Sequence, residues 1–511
     1  MRLAFWLALL ALVPGTAKAE WLQASSVHFV VYANDSQADI RKISDQLERY
    51  HAAMASLVSV QLAPPSPSNR VTVYVVNGEA EVRKLYGEGS KYIGAFYLPR
   101  AGGSLAIVPR VTTGSGDLEY SMIALLHEYA HHYMISASTF PMQRWYSEGG
   151  AEFFASASFR SDGGVDVGKP ALHRAAELLI PGFARDVKVA DLLDPPAASA
   201  KPRAGYDAFY GKSWLLFHYL TFNQARAGQM THYLQLLAQG KSAREAGLTA
   251  FGDFDQLERE LDSYLNRSRM MMLKLPASML TVGPIDVRRL SPGEAAMMPV
   301  QIRSRRGVDD EQAKALLVEA RAVAARFPDD PAVQAALAEA EYDAGNDKEA
   351  IAAADAALAK DPSQVNAYVQ KGYAMFRMAA HAPDEAAAYA KARAVFVALN
   401  HRESDHPLPL IYYYRSFVEQ GKEPTPLALQ GLSRAAQLAP FDLGLRMTLA
   451  MEQIRHHEVA EARRSLGPVA YNPHGGGLAE AAQRVLARLD ADPQWDGRDA
   501  ALLTAGLDTS E

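Results

Sequence analysis

The chain changes its hydrophobic rhythm twice. Up to about residue 110, short apolar runs alternate with segments whose apolar residues recur every three to four positions, an α/β pattern. Val27-His28-Phe29-Val30-Val31-Tyr32 predicts a strand. Asn34-Asp35-Ser36 offers a cap for a helix over residues 38–57, with Ile40, Ile43, Leu47, Tyr50 and Met54 on its inner face. Val71–Val76 predicts a second strand and Glu79–Tyr86 a short helix. Residues 92–98 and 104–108 predict a hairpin turned at 99–103. A helix apolar on most faces follows, with Met122, Leu125, Leu126, Tyr129 and Tyr133 spread around it and Asp117 as its expected cap. Residues 153–265 read as mainly helical, and Tyr206 to Ser213 opens a strong helix running through Leu220. Between 266 and 308 the helical pattern breaks. Residues 270–273, Val287 and residues 300–302 predict short strands in a linker or small β-connector.

The second change comes at about Asp309, where the chain turns Ala-rich and repetitive. Pro328 and Pro362 are 34 residues apart, and Pro407, Pro440 and Pro473 follow one another at 33. Small residues let paired helices pack closely, and proline ends each pair. The unit 330–362, with Gly345, Ala350, Ala357 and Pro362, resembles a tetratricopeptide repeat; Gly372, Ala428 and Ala435 continue its register. That resemblance implies an all-α solenoid over 309–493 with a concave face for a protein partner. Residues 494–511 are expected to form a C-terminal tail.

At 511 residues the chain has room for several domains. A net charge of −6 argues against nucleic acid as the main partner. The absence of cysteine excludes disulfides, thiol catalysis and thiolate metal sites. Residues 1–19 read as a signal peptide: Arg2, a short apolar run, the Pro14-Gly15 break, and Ala17-Lys18-Ala19 for cleavage after Ala19. A periplasmic or secreted bacterial protein is the expectation. No later segment is apolar for long enough to predict a membrane span.

The chemistry concentrates between His127 and Glu152. His127-Glu128-Tyr129-Ala130-His131 is an H-E-x-x-H pattern. On a helix its histidines lie one turn apart on one face and can share a metal ion, with Glu128 beside them to reach a metal-bound water. A catalytic zinc site takes three protein ligands, and Glu148 is the natural third. His132 points about 100° away from His131 and is expected to pack rather than ligate. Trp145 and Tyr146 are expected in the core. Small residues at Gly149-Gly150-Ala151 would let the second helix approach the first.

His127-Glu128-x-x-His131 followed by Trp145-x-x-Glu148-Gly149-x-Ala151-Glu152 resembles the gluzincin (peptidase MA-like) metallopeptidases, the thermolysin and aminopeptidase N superfamily. The resemblance implies His127, His131 and Glu148 as zinc ligands, Glu128 as general base, and Glu152 orienting the first histidine. It also implies that the strand before the metal helix pairs with substrate, and that a downstream tyrosine, Tyr210 first and Tyr206 second, stabilises the oxyanion. The Gly-Ala-Met-Glu-Asn motif of the aminopeptidases is absent.

The expected fold is therefore an α+β zincin-type metallopeptidase domain over 20–265, the connector 266–308 and the tetratricopeptide-like solenoid. The expected function is zinc-dependent hydrolysis of a peptide or protein substrate, with one zinc per chain and the repeats binding substrate or partner. A periplasmic assembly or chaperone-like scaffold with a slow or silent zincin unit is the alternative. Glu128 favours the enzyme, because a purely structural metal site has no use for it.

Overall fold

The computed structural model describes residues 20–499, except 59, 61, 88–92, 111–117, 139 and 195–205. The expected signal peptide (residues 1–19), Asp117 and part of the expected C-terminal tail lie outside the described residues. An N-terminal sheet carries the α/β half. Its strands are β1 (Trp21–Ser25), β2 (Phe29–Asn34), β3 (Val71–Val76), β4 (Phe96–Leu98), β5 (Leu105–Pro109) and β9 (Asp286–Arg289), in the order β4-β5-β3-β2-β1-β9. The three central strands β2, β3 and β5 run parallel, while β4, β1 and β9 are antiparallel to their neighbours. β3 is buried along nearly its whole length, as a strand covered on both faces must be.

Helix α1 (Gln37–Leu57) covers one face with Leu47, Tyr50 and Met54. On the other, Tyr74, Val76 and Ile107 pack with Val82 of α2 (Glu79–Tyr86) and with Met298 and Ile302 of α11 (Pro292–Arg306). A smaller sheet joins β6 (Ser158–Phe159), β7 (Val165–Val167) and β8 (Leu273–Leu275).

Two expectations need correction here. β1 is an additional strand with clean inside-outside alternation. Residues 300–302 lie in α11, not in a strand. Ser291 and Glu294 close a capping box at its start, a helix signal that outweighs the β-branched pair Val300 and Ile302. The 266–308 segment is knitted into both sheets through β8 and β9.

The site rests on α3 (Tyr120–Ala137), α4 (Arg144–Ala155) and α7 (Phe209–Phe222), with the short α5 (Ala175–Leu179) and α6 (Val189–Leu193) before α7. α3 is apolar around most of its circumference, lies against β4 and β5, and packs on α4. α4 is sandwiched between α3 and α7. The small residues of α4 do not serve the α3 approach alone. A Cβ on Gly149 would lie 2.4 Å from the Ser213 carbonyl oxygen of α7, whereas one on Gly150 would meet the Met134 side chain of α3 at 2.7 Å.

After α8 (Gln229–Ala238), α9 (Ala243–Phe251), α10 (Phe254–Leu265) and α11, the described chain is all-helical: α12 (Asp310–Arg326), α13 (Pro331–Asp343), α14 (Asp347–Lys360), α15 (Val365–Ala379), α16 (Glu385–Arg402), α17 (Pro407–Val418), α18 (Pro426–Leu438), α19 (Leu443–Arg455), α20 (Val459–Ala470) and α21 (Gly477–Ala491). Each packs on the next, and α13 also touches α15. Ala350, Ala357, Ala428 and Ala435 are fully buried. Pro328, Pro362, Pro440 and Pro473 stand between helices, and Pro407 opens α17.

This helical region packs back on the sheet half. Ser68 donates to Glu403 from both its backbone and its hydroxyl, and Ala101 N donates to Asp442 Oδ2 at 2.9 Å. Among the described residues no helix is long and apolar enough to cross a membrane.

The Gly149 contact is with backbone, which cannot swing aside. Gly149→Ala gains about 1 kcal/mol of helix propensity but forces an overpacking cost of about 1–3 kcal/mol at the α4–α7 crossing. The expected net outcome is a lower melting temperature in a thermal melt, whereas Gly444, an exposed glycine of α19 where a Cβ would meet nothing nearer than Asp442 Oδ1 at 3.5 Å, tolerates the same change far better.

Candidate metal centre

The fold brings His127, His131 and Glu148 together. His127 and His131 stand one turn apart on α3, and Glu148 comes from the adjoining α4. His127 Nε2 and His131 Nε2 are 3.1 Å apart, and each is 3.2 Å from Glu148 Oε2. These three residues form a group able to hold a metal ion. The triangle has the right size: a tetrahedral ion with bonds of about 2.0–2.1 Å has ligand edges of about 3.3–3.4 Å. Glu148 Oε1 is buried and has no hydrogen-bond partner among the described residues, which leaves it lone pairs for a cation. Two imidazoles and a carboxylate are a donor set that suits zinc.

In the metal-free chain the three groups share protons unequally. Burial opposes charge on His127, but the Glu148 and Glu152 carboxylates outweigh it and push the His127 pKa up to about 10. Burial dominates at His131 and lowers its pKa. Burial also opposes charge on Glu148, yet the two imidazoles hold its carboxyl well below the usual range.

Other side chains hold the ligands. His131 Nδ1 lies 3.1 Å from Ser147 Oγ, and His127 Nδ1 lies 3.4 Å from Glu152 Oε1. Engaging Nδ1 aims Nε2 of each ring at the centre. Glu152 is itself fixed by His173 Nε2 at 2.5 Å and by Arg174 Nη2 at 2.6 Å. The Arg174 guanidinium also covers the Tyr210 ring at 4.7 Å.

Tyr210 lies beside the centre, its ring 6.4 Å from that of His127. Burial, then the Glu148 charge, pushes its phenol up to about 12, so it stays protonated at neutral pH. Tyr206 is exposed and donates its hydroxyl to Glu177. Glu128 is half-buried beside the ligands. Burial opposes its charge, but His474, His131 and His127 outweigh it and lower its pKa, so it is a carboxylate at neutral pH. His132 turns away, sharing a 2.5 Å hydrogen bond with the Tyr97 hydroxyl. Trp145 is core, its Nε1 donating to the Tyr233 hydroxyl at 3.3 Å.

Four residues of this neighbourhood escape sequence reasoning: Ser147, His173, Arg174 and His474. Ser147 sits next to a predicted ligand, so its place on α4 could have flagged it. The others carry no spacing signal. A scan against family models finds no match to the chain, and a search of curated proteins finds none.

A metal ligand must be unprotonated, and His127 alone of the three carries a proton to displace at neutral pH. Zinc affinity is therefore expected to rise about tenfold per pH unit from about pH 7 to 9, flattening as the pH approaches the His127 pKa of about 10. Competition against a chromophoric chelator at several pH values measures the slope; a pH-independent dissociation constant contradicts this proton inventory.

Proposed function

We propose that the chain is an exported zinc peptidase of gluzincin type. One observation carries the reading: His127, His131 and Glu148 converge on a single point while the Glu128 carboxylate stays beside it and reachable from solvent. Three protein ligands rather than four is the ligand count of catalytic zinc, and a structural site has no use for a neighbouring base. When bound, zinc supplies Lewis acidity toward a carbonyl and lowers the pKa of a coordinated water to about 7.

The chain's own residues supply the rest. Glu128, ionised at neutral pH, accepts a proton from the attacking water and returns it to the nitrogen of the leaving amine. Ser147 and Glu152 hold the two imidazoles in register. Tyr210, protonated, is the donor for negative charge that grows on the former carbonyl oxygen. Strand β4, antiparallel to β5 and in contact with α3, ends the sheet among the described residues, an edge along which an extended peptide can pair. The region from 309 to 493 is read as tetratricopeptide-like repeats whose partner is a protein.

Glu128→Gln is expected to keep one zinc per chain and to slow cleavage of dye-labelled casein about 10²–10⁴-fold. An undiminished rate overturns the peptidase reading. Export makes its own prediction: protein recovered from outside the cytoplasm of an expressing bacterium begins at Glu20, and a cytoplasmic pool that retains Met1 contradicts it.

A further inference from the structure

The helical region holds a loop against the candidate base. Residues 471–476, Tyr471-Asn472-Pro473-His474-Gly475-Gly476, connect α20 to α21. The loop is tethered to the site's own scaffold. Arg144 Nε, at the start of α4, donates to the Pro473 carbonyl at 3.1 Å, and Asn472 Nδ2 donates to the Gly475 carbonyl at 3.1 Å. Gly475 and Gly476 have φ of +69° and +94°, a region L side chains rarely adopt, so the chain can double back there.

The two helices that precede the loop are anchored too. Phe441, just before α19, packs on His132 at 4.3 Å, and Arg446 of α19 donates to the Ile135 carbonyl in the last turn of α3 at 3.2 Å. Gly467 of α20 lies so close to the loop before α4 that a Cβ there would be 3.3 Å from Pro141 N.

These anchors bring His474 Nε2 to 3.7 Å from Glu128 Oε2, with its ring edge-on to His131 at 5.1 Å between centroids. The His474 side chain remains 50% exposed, so core packing does not account for its placement. A general base works only within hydrogen-bond reach of the proton it takes, and a displacement of about 1 Å can cost about 10²-fold in rate. A glutamate side chain has three free torsions, and an imidazole beside one carboxylate oxygen restrains them.

We infer that His474 is a positioning residue for Glu128, delivered by the helical region, which thereby becomes part of the catalytic unit. This rests on the peptidase reading. The 3.7 Å separation is the resting distance, since catalytic hydrogen bonds commonly shorten only when substrate is bound. A surface pair formed by chance would have no need of a loop pinned at the adjacent Pro473 carbonyl.

The test uses the full-length, zinc-loaded protein and four measurements: cleavage of dye-labelled casein, zinc content, melting temperature, and affinity for acetohydroxamate, a small chelator whose bound form needs a carboxylate beside the metal. His474→Ala is expected to lower kcat about 10–100-fold while KM, zinc content and melting temperature hold. It is also expected to weaken acetohydroxamate about tenfold. His474→Gln, which keeps a donor of similar reach, recovers much of both losses.

If His474→Ala retains the wild-type kcat and acetohydroxamate affinity while Glu128→Gln is inactive, the inference falls and the peptidase reading stands. If the wild type cleaves nothing, the peptidase reading falls, and acetohydroxamate decides the positioning claim. Weaker binding in His474→Ala then upholds His474 as a support of Glu128, and unchanged binding overturns it.

Discussion

Glu148 is a carboxylate fully removed from solvent, and that burial constrains the whole centre. An isolated ion in such a place costs several kcal/mol, so it exists only beside cationic partners. Oε2 has one in protonated His127 and a hydrogen-bonding neighbour in His131; Oε1 has no partner among the described residues. The same logic runs one turn further along α4. Buried Glu152 is matched by His127 on one side and by His173 and Arg174 on the other. Two buried acids on one helix face are tolerable only if α3 and the 172–177 segment both press against α4. Gly149 and Gly150 make that possible by letting α7 and Met134 close in.

The part of this centre that can be read in the sequence is the part that is local. Two histidines four apart on a helix face one way whatever surrounds them, so His127, Glu128 and His131 are legible from spacing alone. Glu148 and Glu152 are legible because they share a second helix with a recognisable tail of small residues. His173, Arg174 and His474 are fixed only by tertiary contacts, and nothing in their neighbouring residues announces them. The sheet repeats the lesson. The buried strand β3 and helix α1 follow their patterns, and a strand at Val287 is expected, whereas β1 between β2 and β9 is not. β-branching at Val300 and Ile302 favours a strand locally, but the Ser291–Glu294 capping box starts a helix that runs through both.

The repeat resemblance implies a concave face for a partner, and the helical region also makes several contacts with its own chain's sheet half. The tip of the β4–β5 hairpin is held on several sides. Arg100 donates to the carbonyls of Arg305 and Arg306 at the end of α11, where a helix dipole favours a cation. Ala101 N reaches the Asp442 side chain that caps α19, and Gly102 sits against Leu408 of α17. Within the array, Tyr342, Tyr373 and Tyr412 from α13, α15 and α17 form an aromatic ladder with ring centroids 5.6 and 4.8 Å apart. Arg377 and Arg415 cover its ends at 4.0 and 4.6 Å.

These contacts give the array a mechanical character that an appended adaptor would lack. α19, which meets the hairpin tip through its cap Asp442, also reaches the Ile135 carbonyl of α3 through Arg446. Edge strand β4, the ligand helix and the 471–476 loop are thus held by one continuous stack. Each polar contact in the set contributes only about 0.5–1.5 kcal/mol. Loss of one would therefore be absorbed, while displacement of the stack would move the edge strand and His474 together. The side chains that hold His127, His131 and Glu148 all come from residues 147–174, so what the helical half adds to the centre is His474 and the contacts around it.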